Sequence, residues 1–403
     1  VTSGELEPTL MQVNESAEIA DNLVNMYEAQ RVAWDMHNAI GLNEDAYKIA
    51  LRAFINHPTK TDPIEWATLS ALRSRMYQEA VDIREIGMDR VSRNQKLGYT
   101  LEFADLCMQL GFETRGYSLL RPLQDVAANE AELNALINRG ASDQINPRLI
   151  RETLLRVMLG SSRSEEAAEL FGPLMANENE LLISWIKASQ RLGIRDSRKA
   201  LQVIRPYLSD RTNLITYAEE LSNLAQRSEQ MGDVEDLRNV VSSLEEMVDS
   251  DDTETQCRLL IVKSSIKGMD GDFAGAIEHL DTVNDLVAQR DMESDSLKRI
   301  HCVALNNKAL LQCELDPPDT DTALMNIDRA ILDAPESLLP SIYDSMSTIL
   351  KKRGDCNLSI EALAKAAELS RNTDQKTGFN VSLVELMYEC GKVEKAVANS
   401  KVL

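Results

Sequence analysis

The stretch Asp270-Gly271-Asp272-Phe273-Ala274-Gly275 opens like a calcium-binding loop, with two carboxylates around a glycine. Such loops alternate oxygen ligands and close on a bidentate glutamate. Here the fifth position is Ala274, which has no side-chain oxygen, and the last is Asp281. A turn between two helices accounts for the same residues. The four histidines, His37, His57, His279 and His301, stand far apart, and none has a second ligand at a zinc-motif spacing. They read as surface or half-buried helix residues. The six cysteines, Cys107, Cys257, Cys302, Cys313, Cys356 and Cys390, form no CxxC pair and mostly sit among apolar helical neighbours. Buried free thiols are expected, which suits the cytoplasm or another reducing compartment. No GxGxxG, P-loop or GxSxG sequence occurs, and no set of acid, base and nucleophile emerges. The expectation is a chain that is no enzyme and holds neither cofactor nor metal.

Composition narrows the partners. The 403 residues carry 65 acidic and 43 basic side chains, a net charge of −22. Nucleic acid and anionic membrane both need Lys and Arg to neutralise phosphate, so neither is expected as a partner. The surface is self-repelling and suits a protein with basic segments. Hydrophobic residues make up 43%, enough for a folded chain. No apolar run approaches the ~18 residues of a membrane span, and Lys263 interrupts Leu259-Leu260-Ile261-Val262. The first residues, Val1-Thr2-Ser3-Gly4-Glu5, have neither the basic nor the apolar part of a signal peptide. They also lack an initiator Met, which leaves room for a removed segment.

Any chemistry would have to be positioned by helices. Apolar residues recur at three and four, as in Leu221, Leu224, Ala225 and in Ile342, Met346, Ile349, Leu350. Helix starts are marked by Asp62-Pro63-Ile64-Glu65, Asn146-Pro147 and Ser162-Arg163-Ser164-Glu165. Gly111, Gly160, Gly193, Gly232 and Gly391 stand where helices should end. The acidic run from Glu245 to Glu254 reads as a solvated loop whose carboxylates favour the next helix N-terminus. Paired backwards from the C-terminus, the helices form hairpins at about 374–402, 337–371, 295–334, 254–289, 212–249, 178–208 and 147–177. Long helices at about 16–40 and 63–92, with a shorter one at 43–56, make residues 1–94 a divergent capping segment. Residues 95–211 are degenerate hairpins, and 212–403 the regular array.

One pattern returns along the chain. A Gly-Asp or similar turn is followed five residues on by a small residue and four later by a large apolar one. Gly271…Ala276…Leu280 and Gly354…Ser359…Leu363 are the clearest copies, and Gly391…Ala396 is another. A period of about 34–42 residues per helix pair belongs to helical solenoids. The pattern resembles the tetratricopeptide repeat family. Tyr343, Met346, Ser347 and Leu350 take the large, large, small, large places of its first helix, and Ser359, Leu363 and Ala366 the small, large, small places of its second. Leu305 to Leu311 also looks like a family first helix.

The resemblance implies an all-α, right-handed superhelical α-solenoid whose first helices line a concave face. It implies a protein-interaction scaffold, adaptor or structural subunit. The alternative is a sensor domain that binds a peptide or small ligand and controls an effector. In the family register, Asn223, Gln226, Asn306, Asn307, Asp344 and Thr348 face the groove. Lys308 points toward the stack, so the paired Lys and Asn of carboxylate-binding grooves are not in place. Clusters such as Lys351-Lys352-Arg353 read as ordinary charges at a helix C-terminus.

Overall fold

A helix that reverses into another within two residues must find partners for its last carbonyls, and one residue must take positive φ. Seven turns among the described residues meet this demand identically. Gly41, Arg75, Gly111, Ser162, Gly271, Gly354 and Gly391 have φ between 57° and 91°. The amide of each donates to the carbonyl three residues back. The next amide reaches back five, as Leu42 to His37 (2.9 Å), Met76 to Ala71 (2.8 Å) and Asp355 to Leu350 (2.9 Å). This is the Schellman arrangement. Five residues beyond each turn lies a small buried residue: Ala46, Ala80, Gly116, Ala167, Ala276, Ser359 and Ala396. Its amide donates to the residue that follows the turn, as Ala276 to Asp272 (2.9 Å), so it occupies the first turn of the second helix.

The computed structural model describes residues 23–140, 145–175, 178–228, 231–248, 252–290, 294–371 and 373–400. It is 81% helical, with no strand among the described residues. The chain divides into two compact units, Val1–Tyr207 and Leu208–Leu403. In the first, α1 (Leu23–Ala39) and α2 (Asn43–Asn56) join at Gly41, and α3 (Asp62–Arg73) and α4 (Tyr77–Gly87) at Arg75. Next, α5 (Lys96–Gln109) and α6 (Glu113–Leu120) join at Gly111. After α7 (Gln124–Ala127) and α8 (Glu130–Gly140), α9 (Pro147–Gly160) and α10 (Ser164–Met175) join at Ser162, and α11 (Asn179–Ser189) pairs with α12 (Ile194–Ile204). Phe54, Ile64, Trp66, Ile83 and Tyr99 form one apolar core here.

Several sequence expectations change in this unit. The single helix expected over 63–92 is two, because Arg75 takes the left-handed turn that glycine usually marks. Ser162 does the same, so it belongs to the turn and caps nothing, while Gly160 merely ends α9. Asp62 lies inside α3 and makes no cap; its carboxylate accepts the Tyr27 hydroxyl instead (2.7 Å). Gly193 precedes α12 rather than ending α11. Asn146 does cap α9, accepting the Leu149 amide at 2.8 Å. Residues 16–22 of the expected first helix lie outside the described residues.

The second unit holds five hairpins. They are α13 (Arg211–Ser228) with α14 (Met231–Glu245), α15 (Thr253–Met269) with α16 (Phe273–Ala288), and α17 (Asp295–Gln312) with α18 (Thr320–Asp333). Then come α19 (Leu339–Arg353) with α20 (Cys356–Leu369), and α21 (Thr373–Glu389) with α22 (Val393–Ser400). Gly232 belongs to the first turn of α14 and does not end α13. First helices pack on first helices: α13 on α15, α15 on α17, α17 on α19. Each second helix packs under the next first helix, as α16 under α17 and α18 under α19. Leu280, Val283 and Val287 meet Ile300 and Ala304 at the first of these, and Ile327 and Ala330 meet Ile342 at the second. Side chains of Asp210, Asp252 and Ser294 accept the amides of Asn213, Thr255 and Leu297, so α13, α15 and α17 begin in step, 42 residues apart. Residues 249–251 of the acidic run lie outside the described residues.

Two of the six cysteines depart from expectation. Cys356 and Cys390 form a disulfide, while Cys107, Cys257, Cys302 and Cys313 are buried thiols. Three histidines are packing residues. His37 Nδ1 lies 2.7 Å from the Ala33 carbonyl, His57 Nε2 lies 3.1 Å from Gln30 Oε1, and His301 is buried in α17.

Two substitutions test the turn and the small residue separately. Arg75→Gly should raise stability by up to about 1 kcal/mol, since the left-handed region strains a side chain and spares glycine. Ser359→Leu should lower it by about 1–3 kcal/mol through overpacking. Urea midpoints measured on each variant check both signs.

Candidate functional site

Three first helices of the second unit enclose a cavity of about 790 Å³. α13 contributes Glu219, Ser222, Asn223 and Gln226. α15 contributes Glu254, Arg258, Ile261, Ser265, Gly268 and Met269 among others, and α17 contributes Ser296, Arg299, Ile300, Val303, Asn307, Leu310 and Leu311. The 42-residue step sorts these into rows. Asn223, Ser265 and Asn307 form a polar row; Glu219, Ile261 and Val303 a mixed one; Gln226, Gly268 and Leu310 a third. The cavity exists because the middle helix offers its smallest side chains, Ser264, Ser265 and Gly268, between the longer ones on either side. A Cβ at Gly268 would lie 3.1 Å from Leu311 Cδ2, so that side of the wall is already closed.

The polar end of the cavity is built around Arg258. Its Nε and Nη2 donate to the two Glu219 carboxylate oxygens, both at 2.7 Å, and Nη2 also reaches Thr216 Oγ1 at 3.1 Å. Burial works against the guanidinium charge, and the hydrogen bonds and field of Glu219 more than restore it. One step along, the same rows hold Ile261 and Ile300, so the groove passes from a fixed ion pair to an apolar contact. Arg299 is exposed at the rim and makes no ion pair among the described residues.

Of the groove residues expected from sequence, Asn223, Gln226 and Asn307 share this cavity. Asn306 does not line it. One residue along the helix turns the side chain by about 100°, and its Oδ1 is buried with no hydrogen-bond partner among the described residues. Asp344 and Thr348 stand on α19 and do not line it either; the Thr348 hydroxyl donates to the Asp344 carbonyl at 3.3 Å. Sequence reasoning missed Arg258, Glu219, Ser265 and Arg299. The signal for them was the 42-residue step between capping residues. Lys308 pairs with Asp281 on α16 and so points into the stack, as read from sequence.

The carboxylates of the calcium-like stretch are engaged. Asp272 accepts the Gly275 amide at 2.9 Å and pairs with Lys267, while Asp270 pairs with Arg238 at 2.6 Å. Among the described residues no group of three or more His, Cys, Asp or Glu is placed to hold a metal, and no helix is long and apolar enough to cross a membrane.

Helix hairpins that turn on a left-handed residue, close on a small one and stack first helix on first helix define a tetratricopeptide-like repeat fold. No family model matches the chain, and no curated protein matches it. Similar solved structures include the Naa15/Naa10 complex bound to HypK-THB, at 15% identity and a TM-score of 0.31, covering 98% of this chain and 67% of that one. Yeast Tom70 matches at 12% identity and 0.34, covering 99% and 96%. A tetratricopeptide repeat protein from Parabacteroides merdae matches at 10% and 0.34, covering 81% and 98%. At these values nothing about function follows for this chain.

Asp344 gives a test by pH. Burial raises its carboxyl above the ordinary value of 3.8. The folded chain therefore holds that proton more readily than the unfolded chain, so the ionised group costs stability at neutral pH and the cost fades as pH falls. Asp344→Asn should raise the melting temperature at pH 7, and the gain should shrink as pH approaches about 4. Melting curves across that range check it.

Proposed function

We propose that the cavity over α13, α15 and α17 receives a segment of a protein partner, and that the chain is a non-enzymatic scaffold or adaptor. The observation that carries this reading is the polar row Asn223, Ser265 and Asn307, presented on three successive first helices beside the apolar Ile261, Ile300 and Val303. Amide and hydroxyl groups at regular spacing can pair with the alternating donors and acceptors of an extended peptide backbone. The helices are held from behind by apolar stacking, so little entropy is lost when the partner docks. The net charge of −22 suits a partner with basic segments, whose association weakens with salt.

A second reading has its own support. The cavity volume lies within the roughly 300–1,000 Å³ usual for small-ligand sites, so a peptide or small-molecule sensor that controls an effector uses the same walls.

Ser265→Trp should fill the cavity from its middle helix and abolish capture of a partner co-purified with the wild-type chain. Asn223→Ala with Asn307→Ala should weaken capture, while Asn306→Ala should not. Calorimetric binding, with circular dichroism to confirm folding, reads the result. Full affinity in a folded Ser265→Trp variant would move recognition away from this groove. A bound small molecule released on denaturation would favour the sensor.

A further inference from the structure

We infer that the Cys356–Cys390 disulfide is a redox-sensitive latch: a dithiol reductant opens it in the folded protein and loosens the last hairpin, α21–α22. The bridge joins two different hairpins, since Cys356 opens α20 and Cys390 follows the end of α21. Both residues are half-buried rather than enclosed, so a small thiol can reach the sulfurs. The other four cysteines are fully buried, and burial pushes the Cys107, Cys257 and Cys302 thiols up to about 11. Reaction is thereby confined to one place in the chain.

The two sulfurs are not equivalent. Cys356 is the first residue of a 14-residue helix, where the helix dipole favours a thiolate. Cys390 sits at a helix C-terminus, its amide donating to the Leu386 carbonyl at 2.9 Å, where a thiolate is disfavoured. The thiolate of lower pKa leaves faster. An incoming thiolate therefore attacks Cys390 Sγ, the S–S bond breaks, and the electron pair departs on Cys356. The second thiol of the reductant then attacks the mixed disulfide and releases Cys390. The reductant is oxidised to its disulfide, and the protein gains two electrons and two protons as two thiols.

What the latch restrains is also visible. The last hairpin is held on α20 through Leu363 and Ala366 against Leu383, Leu386 and Met387. The Ser370 hydroxyl, at the end of α20, also donates to Gln375 Oε1 at 3.1 Å, and the pairs Lys351 with Glu389 and Lys392 with Asn357, which tie the last hairpin to the α19–α20 hairpin, are exposed and contribute little. Val381, Tyr388 and Val393 stay 45%, 67% and 47% exposed, so much of its apolar surface is not used in packing.

The test uses the native chain, N-ethylmaleimide and dithiothreitol. Without reductant no cysteine should be alkylated; with it, Cys356 and Cys390 alone should be, as read by peptide mass spectrometry. A monothiol pulse should trap the mixed disulfide on Cys390 with Cys356 alkylated. Reduction should speed tryptic cleavage at Lys376, Lys392 and Lys395 by an order of magnitude or more, reversibly. A Cys356→Ser, Cys390→Ser variant should cleave at the fast rate with or without reductant. Alkylation of either cysteine before reduction, resistance to reductant until the chain unfolds, or a cleavage rate indifferent to reduction would each overturn the proposal.

Discussion

At the seven left-handed turns the two helices of a hairpin meet at a residue with almost no side chain, and the stacking of these hairpins follows from that approach. At Ser347 and Ser359 it is close enough for each hydroxyl to donate to the other residue's carbonyl at 2.8 Å. A larger side chain at either place would force the helices apart. The left-handed residue five positions earlier sets where the second helix begins, and so brings the small residue into the contact. The fixed crossing then aligns the apolar stripes that neighbouring hairpins bury. A hairpin alone leaves such a stripe exposed, which is why the units stack.

The turns show what a sequence can and cannot display. Gly271, Gly354 and Gly391 announce themselves because glycine takes positive φ without strain. Arg75 and Ser162 occupy the same conformation at some cost and carry no such mark. The hydrogen bonds that close these turns run from backbone to backbone, so no side chain is required to make them. Leu72-Arg73-Ser74-Arg75-Met76 consequently reads as uninterrupted helix, although Ala80 keeps its place five residues after the turn. Gly41 and Ala46 show the glycine and the small residue within the segment taken as divergent, but Ala50 stands where the pattern has a large residue. The small residue, not the glycine, is the more constant half of the signal.

The groove was legible in part for a related reason. Asn223, Gln226 and Asn307 are placed by helix period alone, while Asn306 lies one residue, and so most of a third of a turn, away. The ion pair of Arg258 with Glu219 joins residues 39 apart and becomes visible only when successive first helices are set in register. The Cys356–Cys390 bridge spans 34 residues, close to one repeat, and pairing cannot be deduced from cysteine spacing alone. Contacts between units are therefore the least readable part of the chain, because each depends on a step that the unit itself does not state.

Charge follows the same division between the unit and its neighbours. Cations are scarce in a chain with 65 acidic residues, yet many of them bridge successive hairpins. Lys263 pairs with Glu245, Arg258 with Glu219, Lys308 with Asp281 and Lys352 with Glu314. Each acidic partner keeps between 37% and 50% of its side chain exposed, so such pairs contribute little cohesion and are weakened by salt. Cohesion rests on the apolar contacts between second and first helices, which salt does not weaken. The field of the exposed acidic groups extends about a Debye length, roughly 8 Å at physiological ionic strength. Salt therefore leaves the stack intact and attenuates the field of these carboxylates, and with it the attraction to a basic partner of the kind proposed.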